Sequence, residues 1–346
     1  MSRFWKNRSV LITGHTGFKG SWLTMMLKIL GADVIGYSLK PNTNPSLYEV
    51  TNIEKECESY FGNVVDYPSL DTLIKEYKPE IIFHLAAQSL VKVSYIDPTV
   101  TFKTNVIGTV NMCELVRKNS FIHALINVTS DKCYKNLEKT VGYKEDDELG
   151  GFDPYSSSKA CAEHVASAYI SSFFENQYRI VSVRAGNVIG GGDWSKYRLI
   201  PDIFRSHASN EQLEIRYPMA VRPWQHVLEP LTGYIELAER VYSGDNVQGA
   251  WNFGPGDESN RKVEDVINYV MQSWCNIKYH TTGTKQDHEA GLLHLDISKA
   301  KNNLNWKPRW NFEQSLDRTI AWYDAYKQKK DMLIFSQNQI NDYLYD

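Results

Sequence analysis

One segment near the start of the chain constrains the fold more than any other: the apolar run VLIT leads directly into the glycine-rich turn GHTGFKG. The run predicts a buried strand over 9–13, and the apolar spacing after the turn predicts a helix over 18–30. Gly14, Gly17 and Gly20 lie between them. Glycines at such a junction allow a tight turn and let the backbone approach a pyrophosphate, which the N–H groups of the helix then bind. The segment predicts a dinucleotide site, the alternative being a turn needed only for packing.

Strand and helix patterns alternate through the first half of the chain. The strand patterns are continuously apolar, which is typical of a parallel sheet covered on both faces. We therefore predict an α/β fold with a Rossmann-like, doubly wound parallel sheet and right-handed crossovers. The predicted strands cover 9–13, 33–39, 59–64, 80–87, 123–130 and 179–185, and the predicted helices cover 18–30, 69–77, 99–117 and 155–174.

The regular alternation stops after Gly190, in the polar, glycine-rich stretch GGGDWSKYRLIP. Beyond it the patterns predict helices over 226–243, 263–275 and 311–327 and a short strand over 250–253. We expect a dinucleotide-binding Rossmann domain over 1–186, with returning pieces near 222–253. Segments 187–221 and 254–346 are expected to form a smaller substrate-binding domain.

Composition and charge exclude several classes of protein. The 38 Lys and Arg residues nearly balance the 41 Asp and Glu residues, so nucleic-acid binding has no electrostatic basis. No apolar run approaches the ~20 residues that span a bilayer, and the start lacks a signal-peptide pattern, so we expect a cytoplasmic protein without a membrane partner. The five cysteines form no CxxC, which argues against disulfides and structural zinc. His288 and His294 lack the spacing of metal ligands, so we predict no metal site.

A tyrosine and a lysine with catalytic spacing begin the predicted helix over 155–174. Tyr155 and Lys159 stand at i and i+4, which places both side chains on one face. A neighbouring ammonium stabilises the phenolate and is expected to lower the pKa of Tyr155. Such a tyrosine can take a proton from a substrate hydroxyl while hydride leaves for a nicotinamide. Alone the pair is often structural, but after a glycine turn it indicates redox chemistry.

The end of the second predicted strand should select between NAD and NADP. The acid that would bind the ribose 2′-hydroxyl is missing, and Tyr37 and Ser38 stand in its place. Lys19 and Lys40 could contact a 2′-phosphate, so these residues leave the choice open. Asp66, after the third strand, is expected to bind the adenine amino group, the alternative being that it caps a helix.

Seven motifs, spread over nearly the full length, carry a resemblance to a known family. They are GHTGFKG, HLAAQ (84–88), VTSDKCY (128–134), YSSSK (155–159), RAGNVIGGGDW (184–194), RPWQHVLEPL (222–231) and WNFGPG (251–256). With them the chain resembles the extended short-chain dehydrogenases/reductases and, within that superfamily, the nucleotide-sugar 4,6-dehydratases. His15, Lys19, Trp194 and the triplet 130–132 resemble most closely the subgroup that acts on CDP-glucose.

The resemblance implies an NAD-dependent hydro-lyase. Tyr155, with Lys159, removes the proton of the sugar 4-hydroxyl, and Ser130 hydrogen-bonds the 4-oxygen. Asp131 is the acid for the departing C6 hydroxyl. Most dehydratases have Glu where this chain has Lys132, so it stays open whether the lysine is the C5 base or assists Asp131 or a water. The implied pathway supplies deoxyhexoses for bacterial surface polysaccharide such as O-antigen.

The resemblance also implies the binding residues. Those for the cofactor are Gly14, Gly17, Phe18, Lys19, Gly20, Tyr37, Asp66, Leu85, Ala86, Ala87, Tyr155 and Lys159. Those for CDP-glucose are Asn187, Arg198 and Arg222, and Trp194 and Trp224 are expected to line the sugar or base pocket. A homo-oligomer, dimer or tetramer, is implied through the helices over 99–117 and 155–174.

Three other functions stay open on the sequence. The first two are a dehydratase and a 4-epimerase for another nucleotide sugar, such as a UDP- or dTDP-hexose, because the choice of CDP depends on resemblance alone. An epimerase does not need an acid at position 131, so Asp131 argues against it. The third is a non-catalytic, dinucleotide-sensing regulator, which would be expected to lack the Tyr155–Lys159 pair.

Overall fold

The computed structural model describes residues 2–174, 177–281 and 291–345. A seven-stranded parallel sheet forms its centre, with strand order β11-β6-β5-β4-β1-β2-β3. Helices cover both faces. The strands are β1 Ser9–Thr13, β2 Asp33–Ser38, β3 Glu58–Phe61, β4 Ile81–His84, β5 Ala124–Val128, β6 Ile180–Ala185, β7 Val188–Ile189, β8 Leu213–Ile215, β9 Val221–Pro223, β10 Gln225–His226, β11 Gly249–Phe253, β12 Asn260–Lys262 and β13 Tyr279–Thr281.

The helices alternate with these strands in the first half, as the sequence predicts. They are α1 Ser2–Trp5, α2 Phe18–Ile29, α3 Leu47–Val50, α4 Tyr67–Tyr77, α5 Val91–Ile96, α6 Pro98–Phe102, α7 Gly108–Lys118, α8 Pro154–Phe173, α9 Leu199–Ser209, α10 Leu228–Tyr242, α11 Val263–Ser273, α12 Ser298–Asn303, α13 Phe312–Lys327 and α14 Met332–Tyr345. Short 3₁₀ turns lie at Ile53–Lys55, Asp131–Cys133 and Asp257–Ser259, and a π-helical turn lies at Lys103–Ile107.

The strands at the middle of the sheet, β1, β4 and β5, are mostly apolar because both of their faces are buried. In β1, Val10 and Ile12 join one hydrophobic core and Leu11 joins the other. The first core continues through α2, α10 and the C-terminal helices, and the second lies under α4, α7 and α8. A strand with a solvated face would show alternation, so the continuous pattern correctly predicted the doubly wound fold.

The helix predicted over 99–117 is interrupted in the structure. Five residues, Lys103–Ile107, form a π-helical turn between α6 and α7. Asn105 is buried within this turn and makes three side-chain hydrogen bonds to other segments. A π turn adds one residue to a helical turn and re-aims the side chains within it, which hydrophobic spacing does not reveal.

The second half combines small sheets with pieces that return to the centre. β7 pairs with β10, β8 with β13 and β9 with β12, each outside the central sheet. β11 joins the central sheet beside β6, and α10 packs against β5 and β6. Within segment 222–253, α10 and β11 are thus the pieces that pack on or join the central sheet. The sequence did not predict α9 or α14.

The order of the central strands fixes where a ligand can bind. β1 lies between β2 and β4, so the connections on its two sides run in opposite directions. At such a switch point the loops after the strands separate and leave a crevice at their carboxyl ends. No helix among the described residues is long and apolar enough to cross a membrane.

Candidate active site

A cavity of about 1050 Å³ opens at the carboxyl ends of β1, β4, β5 and β6. It brings together most residues that the sequence singled out. Those that line it are Gly14, Gly17, Phe18, Lys19, Gly20, Leu85, Ala86, Ala87, Ser130, Asp131, Lys132, Tyr155, Lys159, Asn187, Arg198, Arg222 and Trp224. Gly14 and Trp224, 210 positions apart in the sequence, thus line one cleft because the strand ends converge there.

The glycine turn has the shape that a phosphate group requires. Gly14 has φ +80°, and a Cβ there would lie 2.8 Å from the amide nitrogen of Ala86. A Cβ on Gly20 would lie 2.1 Å from the carbonyl oxygen of Gly14, so helix α2 packs closely on the turn. Gly17 begins α2 as its N-cap without a side-chain hydrogen bond to the first turn. The first N–H groups of α2 therefore face the cavity without a side-chain cap, which fits a pyrophosphate.

Two predicted cofactor residues do not line the cavity. Tyr37 is buried in the second hydrophobic core, and its hydroxyl donates to the carbonyl oxygen of Asn63 at 3.4 Å. Asp66 is the N-cap of α4 and accepts from the amide of Ser69 at 3.3 Å. β3 ends at Phe61, so the chain turns away before it reaches Asp66. The cavity wall at this end is formed by Ser38, Leu39, Lys40, Asn42, Gly62, Asn63 and Val64.

Two further motif residues pack away from the cavity. His15 is buried, contacts Ser59 Oγ at 2.6 Å through Nε2, and burial lowers its pKa to about 4. Trp194 is buried in an aromatic cluster with Phe204 and Tyr323 and does not line the cavity. The expected contact of Trp194 with a sugar or base is therefore wrong, because the ring is part of the core under α9 and α13.

Ser130 and Asp131 stand at the carboxyl end of β5, where the chain enters a 3₁₀ turn. The Ser130 hydroxyl donates to Asp131 Oδ1 at 2.9 Å. Asp131 is only 3% exposed, and its Oδ2 has no hydrogen-bond partner among the described residues. Gly186 leaves the space beside this oxygen, since a Cβ there would lie 3.1 Å from it. A buried carboxylate with a free oxygen in a cleft is placed to exchange a proton with a ligand.

Tyr155 and Lys159 lie on the cavity face of α8, as their spacing predicts. Burial raises the pKa of Tyr155 to about 12, and its hydrogen bond with Ser130 opposes this rise only in part. Lys159 Nζ donates to the carbonyl oxygen of Val128 at 3.0 Å, and burial lowers the pKa of Lys159 to about 8. The expected lowering of the Tyr155 pKa is thus not found in the protein alone, because the loss of solvation outweighs the favourable contacts.

Two more cations face the same cleft. Burial lowers the pKa of the half-buried Lys19 to about 7, with a further contribution from Arg198, while Asp131 opposes the change. Arg198 forms an ion pair with Asp193 at 3.0 Å, which raises the pKa of the guanidinium. Lys19 thus stands with Asp131 and Arg198 on the sugar side of the turn, away from Lys40 at the far end of the cavity wall.

The predicted substrate residues reach the cavity from the second half of the chain. Arg222, on β9, is 4% exposed and donates to the carbonyl oxygens of Val221 and Gly291 at 2.9 and 3.3 Å. Asn187 lies in the turn between β6 and β7, and its carbonyl oxygen accepts from the amide of Gln225 at 3.2 Å. Lys132 is half-buried in the opposite wall. The wall that carries Arg198 and Arg222 is therefore cationic.

Sequence reasoning missed Asn105, which connects the loop after β4 with helix α8. Its Oδ1 accepts from the amide of Gln88 at 2.8 Å, and its Nδ2 donates to Ser158 Oγ at 2.8 Å. Ser158 in turn donates to the carbonyl oxygen of Tyr155. The π turn that aims Asn105 at these partners leaves no hydrophobic signature, so the sequence offered no signal for it. Among the residues that the structure describes, no cluster of three or more His, Cys, Asp or Glu could hold a metal ion.

The sequence of this chain is similar to those of known enzymes. Residues 11–319 match the family described as GDP-mannose 4,6 dehydratase. The CDP-glucose 4,6-dehydratase of Salmonella typhimurium is 48% identical over 349 residues, which cover 99% of this chain and 97% of that protein. The similarity extends over both the central sheet and the second half.

Structural comparison gives the same fold. The dTDP-glucose 4,6-dehydratase of Bacillus anthracis, in complex with NAD, has a TM-score of 0.77 at 26% identity, covering 94% of this chain and 99% of that one. A UDP-glucose-4-epimerase from Stenotrophomonas maltophila, with bound NAD and formylated UDP-arabinopyranose, has a TM-score of 0.81 at 19% identity, covering 93% and 100%. Because dehydratase and epimerase share this fold, the choice between them depends on the residues of the site.

Proposed function

Because this chain belongs to the GDP-mannose 4,6-dehydratase family, within the extended short-chain dehydrogenases/reductases, we propose that it is a CDP-glucose 4,6-dehydratase. It converts CDP-D-glucose to CDP-4-keto-6-deoxy-D-glucose and water. The reaction oxidises C4, eliminates the C6 hydroxyl and reduces C6 within one site.

NAD is the cofactor, and the glycine turn fits its pyrophosphate. The residues that would hold it are those of the turn, 14–20, with Leu85, Ala86 and Ala87 and the nearby Ser38 and Asn63. When bound, NAD would supply an acceptor for the C4 hydride, the hydride for C6 and, in its oxidised form, a positive charge in the cavity. Because the net reaction returns the cofactor to its starting state, it serves as a permanent part of the enzyme.

The residues of this chain move the protons. Tyr155 takes the proton of the 4-hydroxyl as C4 is oxidised, and Lys159 stabilises the phenolate through its charge. The 4-ketone acidifies the C5 hydrogen, and Lys132, next to Asp131 in the cavity wall, is its acceptor. Asp131 donates a proton to the C6 oxygen as the C6–O bond breaks, so water leaves and a 4-keto-5,6-ene remains. Hydride then adds to C6, and Lys132 returns its proton to C5. The proton taken by Tyr155 replaces the one given by Asp131, so the proton balance closes. Ser130, bonded to Asp131, hydrogen-bonds the 4-oxygen.

The diphosphate of the substrate binds to the cationic side of the cleft. Arg222 matches phosphate oxygens in a bidentate manner, and its side chain is already oriented by two carbonyl oxygens. Arg198 is held by Asp193 and adds a second positive charge on the sugar side. Asn187, in the turn between β6 and β7, supplies an uncharged hydrogen-bonding group to the cavity.

One observation carries this proposal above the others. The buried Asp131 is linked through Ser130 to Tyr155, and its second carboxylate oxygen has no hydrogen-bond partner among the described residues. An epimerase has no bond to break at C6 and does not need such an acid. A regulator that had lost its chemistry would not need the acid, the phenol and the ammonium together.

Mass spectrometry of the products tests the proposal. The protein is incubated with NAD and, separately, with CDP-, UDP- and dTDP-glucose. We expect only the CDP sugar to lose one water. Loss of water from the UDP or dTDP sugar would show that the substrate is that sugar and not CDP-glucose. An isobaric product would show an epimerase. No change with any of the three sugars would favour a regulator.

The assembly and location of the protein are part of the same proposal. The helices proposed for a homo-oligomer expose apolar side chains: Val100 is 49%, Ile107 43% and Phe173 53% exposed. Ala162 and Ala166, on α8, are instead buried within the chain, so other residues of α8 would form the interface. Light scattering of the purified protein should give the mass of a dimer or tetramer. A cytoplasmic location is supported by the five free cysteines, which suit a reducing compartment.

A further inference from the structure

A buried ion pair lies directly behind the catalytic residues. Glu163, on α8 one turn beyond Lys159, is 4% exposed, and Arg184, on β6, is 3% exposed. Arg184 Nε donates to Glu163 Oε1 and its NH2 donates to Oε2, both at 2.9 Å. This bidentate geometry fixes the plane of each group relative to the other. Neither residue lines the cavity.

The ion pair is hydrogen-bonded to strand β5 just before residues 130–133, which are called the catalytic turn below. The Thr129 hydroxyl donates to Glu163 Oε1 and also contacts the carbonyl oxygen of Val183. Thr129 immediately precedes Ser130 and Asp131, so one carboxylate connects helix α8 with the segment that supplies the acid. Lys159 Nζ contacts that segment again, at the carbonyl oxygen of Val128.

The other side of the pair reaches the end of the catalytic turn and the second half of the chain. Arg184 NH1 donates to the Tyr134 hydroxyl at 2.7 Å and to the carbonyl oxygen of Glu145 at 3.0 Å. The Tyr134 hydroxyl donates to Asn252 Oδ1 at 2.8 Å, on β11. Arg184 thus donates four hydrogen bonds, three to side-chain oxygens and one to a backbone carbonyl oxygen. Residues 129 and 134, on either side of the catalytic turn, are both held.

Stability alone does not account for this arrangement. Burying two charges carries a desolvation cost that their attraction only partly offsets, and apolar residues of similar volume often stabilise a core as well. The directional bonds and the charge of this pair are therefore candidates for a role beyond stability.

We propose that the Glu163–Arg184 pair is a positioning device for proton transfer: through Thr129 and Tyr134 it fixes the Ser130–Lys132 turn against α8, and its carboxylate keeps the Lys159 side chain charged. Both residues act through others and touch neither substrate nor cofactor.

The charges around Lys159 support the second part. Burial lowers the pKa of Lys159 to about 8, and the charge of Glu163 opposes this change. Burial lowers the pKa of His84, on β4, to about 3 and raises that of Cys133, in the catalytic turn, well above its usual value, so both are neutral near pH 7. Lys19, from the glycine turn, is a like charge. Glu163 is thus the anion that favours the ammonium form.

The test compares two substitutions of Glu163 in the NAD-bound enzyme. In Glu163→Gln the charge is lost and the size is kept. NMR titration of lysine-labelled protein, with the Lys159 signal assigned by Lys159→Arg, should show the pKa of Lys159 fall by about one unit. The alkaline limb of the kcat profile should move down equally, because the ammonium is then lost at lower pH, and kcat should fall about 10- to 100-fold.

Glu163→Asp keeps the charge but shortens the side chain. We expect kcat to fall without a shift in the Lys159 titration, which separates position from charge. The matched control is Asp342→Asn, which removes the carboxylate of the surface pair with Arg318 and should change neither measurement.

A purely structural role for the pair predicts a different result: Glu163→Gln would lower thermal stability yet leave both the titration and kcat unchanged, and this would overturn the proposal. If that variant does not fold, Thr129→Val decides the positioning part, since it removes the hydroxyl but leaves the ion pair. An unchanged kcat in Thr129→Val contradicts the proposal. The rate measurements rest on the proposed function; a wild-type protein inactive on CDP-glucose would refute that function, while the Lys159 titration would still test the charge.

Discussion

The two walls of the cleft are built in different ways. The wall of the central sheet carries the glycine turn, the Ser130–Lys132 turn and the Tyr155–Lys159 pair, each at the end of a parallel strand or the start of a long helix. The opposite wall consists of two- and three-residue strands, irregular segments and α9. There, side chains rather than a continuous ladder hold the backbone: Arg222 bonds two carbonyl oxygens, and Arg205 donates to the carbonyl oxygens of Trp194 and Ser195.

The two walls have different tasks: the sheet wall carries out the reaction, and the opposite wall recognises the substrate. Proton and hydride transfer require positions fixed within fractions of an ångström, and a seven-stranded sheet with helices on both faces supplies them. Recognition of one nucleotide among several requires a surface that can differ between related enzymes, and segments outside the sheet can change without disturbing it. Substitutions on the sheet wall should therefore affect kcat or folding, and those on the opposite wall should affect KM.

The largest effect is expected for Tyr155→Phe. Without the phenol oxygen the 4-hydroxyl proton has no acceptor, so kcat for CDP-glucose should fall about 10³-fold while substrate binding is retained. Initial rates and isothermal calorimetry measure the two quantities. The matched control is Tyr234→Phe, since Tyr234 is a buried tyrosine near Asp131 whose hydroxyl has no hydrogen-bond partner among the described residues. A Tyr155→Phe enzyme within a few-fold of the control would contradict the catalytic assignment.

A second prediction concerns the packing of the glycine turn. Gly20→Ala places a Cβ against the Gly14 carbonyl oxygen, and since backbone cannot move aside cheaply, we expect a loss of about 3 kcal/mol in the free energy of unfolding. Gly17→Ala has a nearest contact of 3.3 Å and should fold almost normally, but its methyl group faces the cavity and should weaken NAD binding. Urea unfolding and NAD titration separate the two effects. Equal stabilities of the two variants would show that the turn tolerates the closer contact.

The smallest effect is expected on the opposite wall. Arg222→Met removes a charge-assisted contact with the diphosphate and should raise KM for CDP-glucose about tenfold with little change in kcat. Its control is Arg261→Met, because Arg261 is the cross-strand partner of Arg222 on β12 but is exposed and does not line the cavity. Should the two variants have the same KM, Arg222 would be a structural residue of the β9–β12 pair.

The sequence by itself determined the sheet, the glycine turn and the identity of the residues on the sheet wall. Hydrophobic runs, glycine spacing and the i, i+4 relation of Tyr155 and Lys159 are local properties, and local properties can be read from the order of residues. Of seven predicted strands, the one over 250–253 lies far along the chain, and its apolar pattern predicted the strand itself. Its place beside β6, at the edge of the sheet, comes from the structure.

Only the tertiary structure decided the rest. It placed Tyr37 and Trp194 in the core and made Asp66 a helix cap, and it brought Asn105, Glu163 and Arg184 behind the catalytic residues. It also raised the Tyr155 pKa that the sequence had led us to expect lowered. The physical reason is common to all of these: burial and hydrogen-bond partners depend on contacts between segments distant in sequence, and no local spacing contains them.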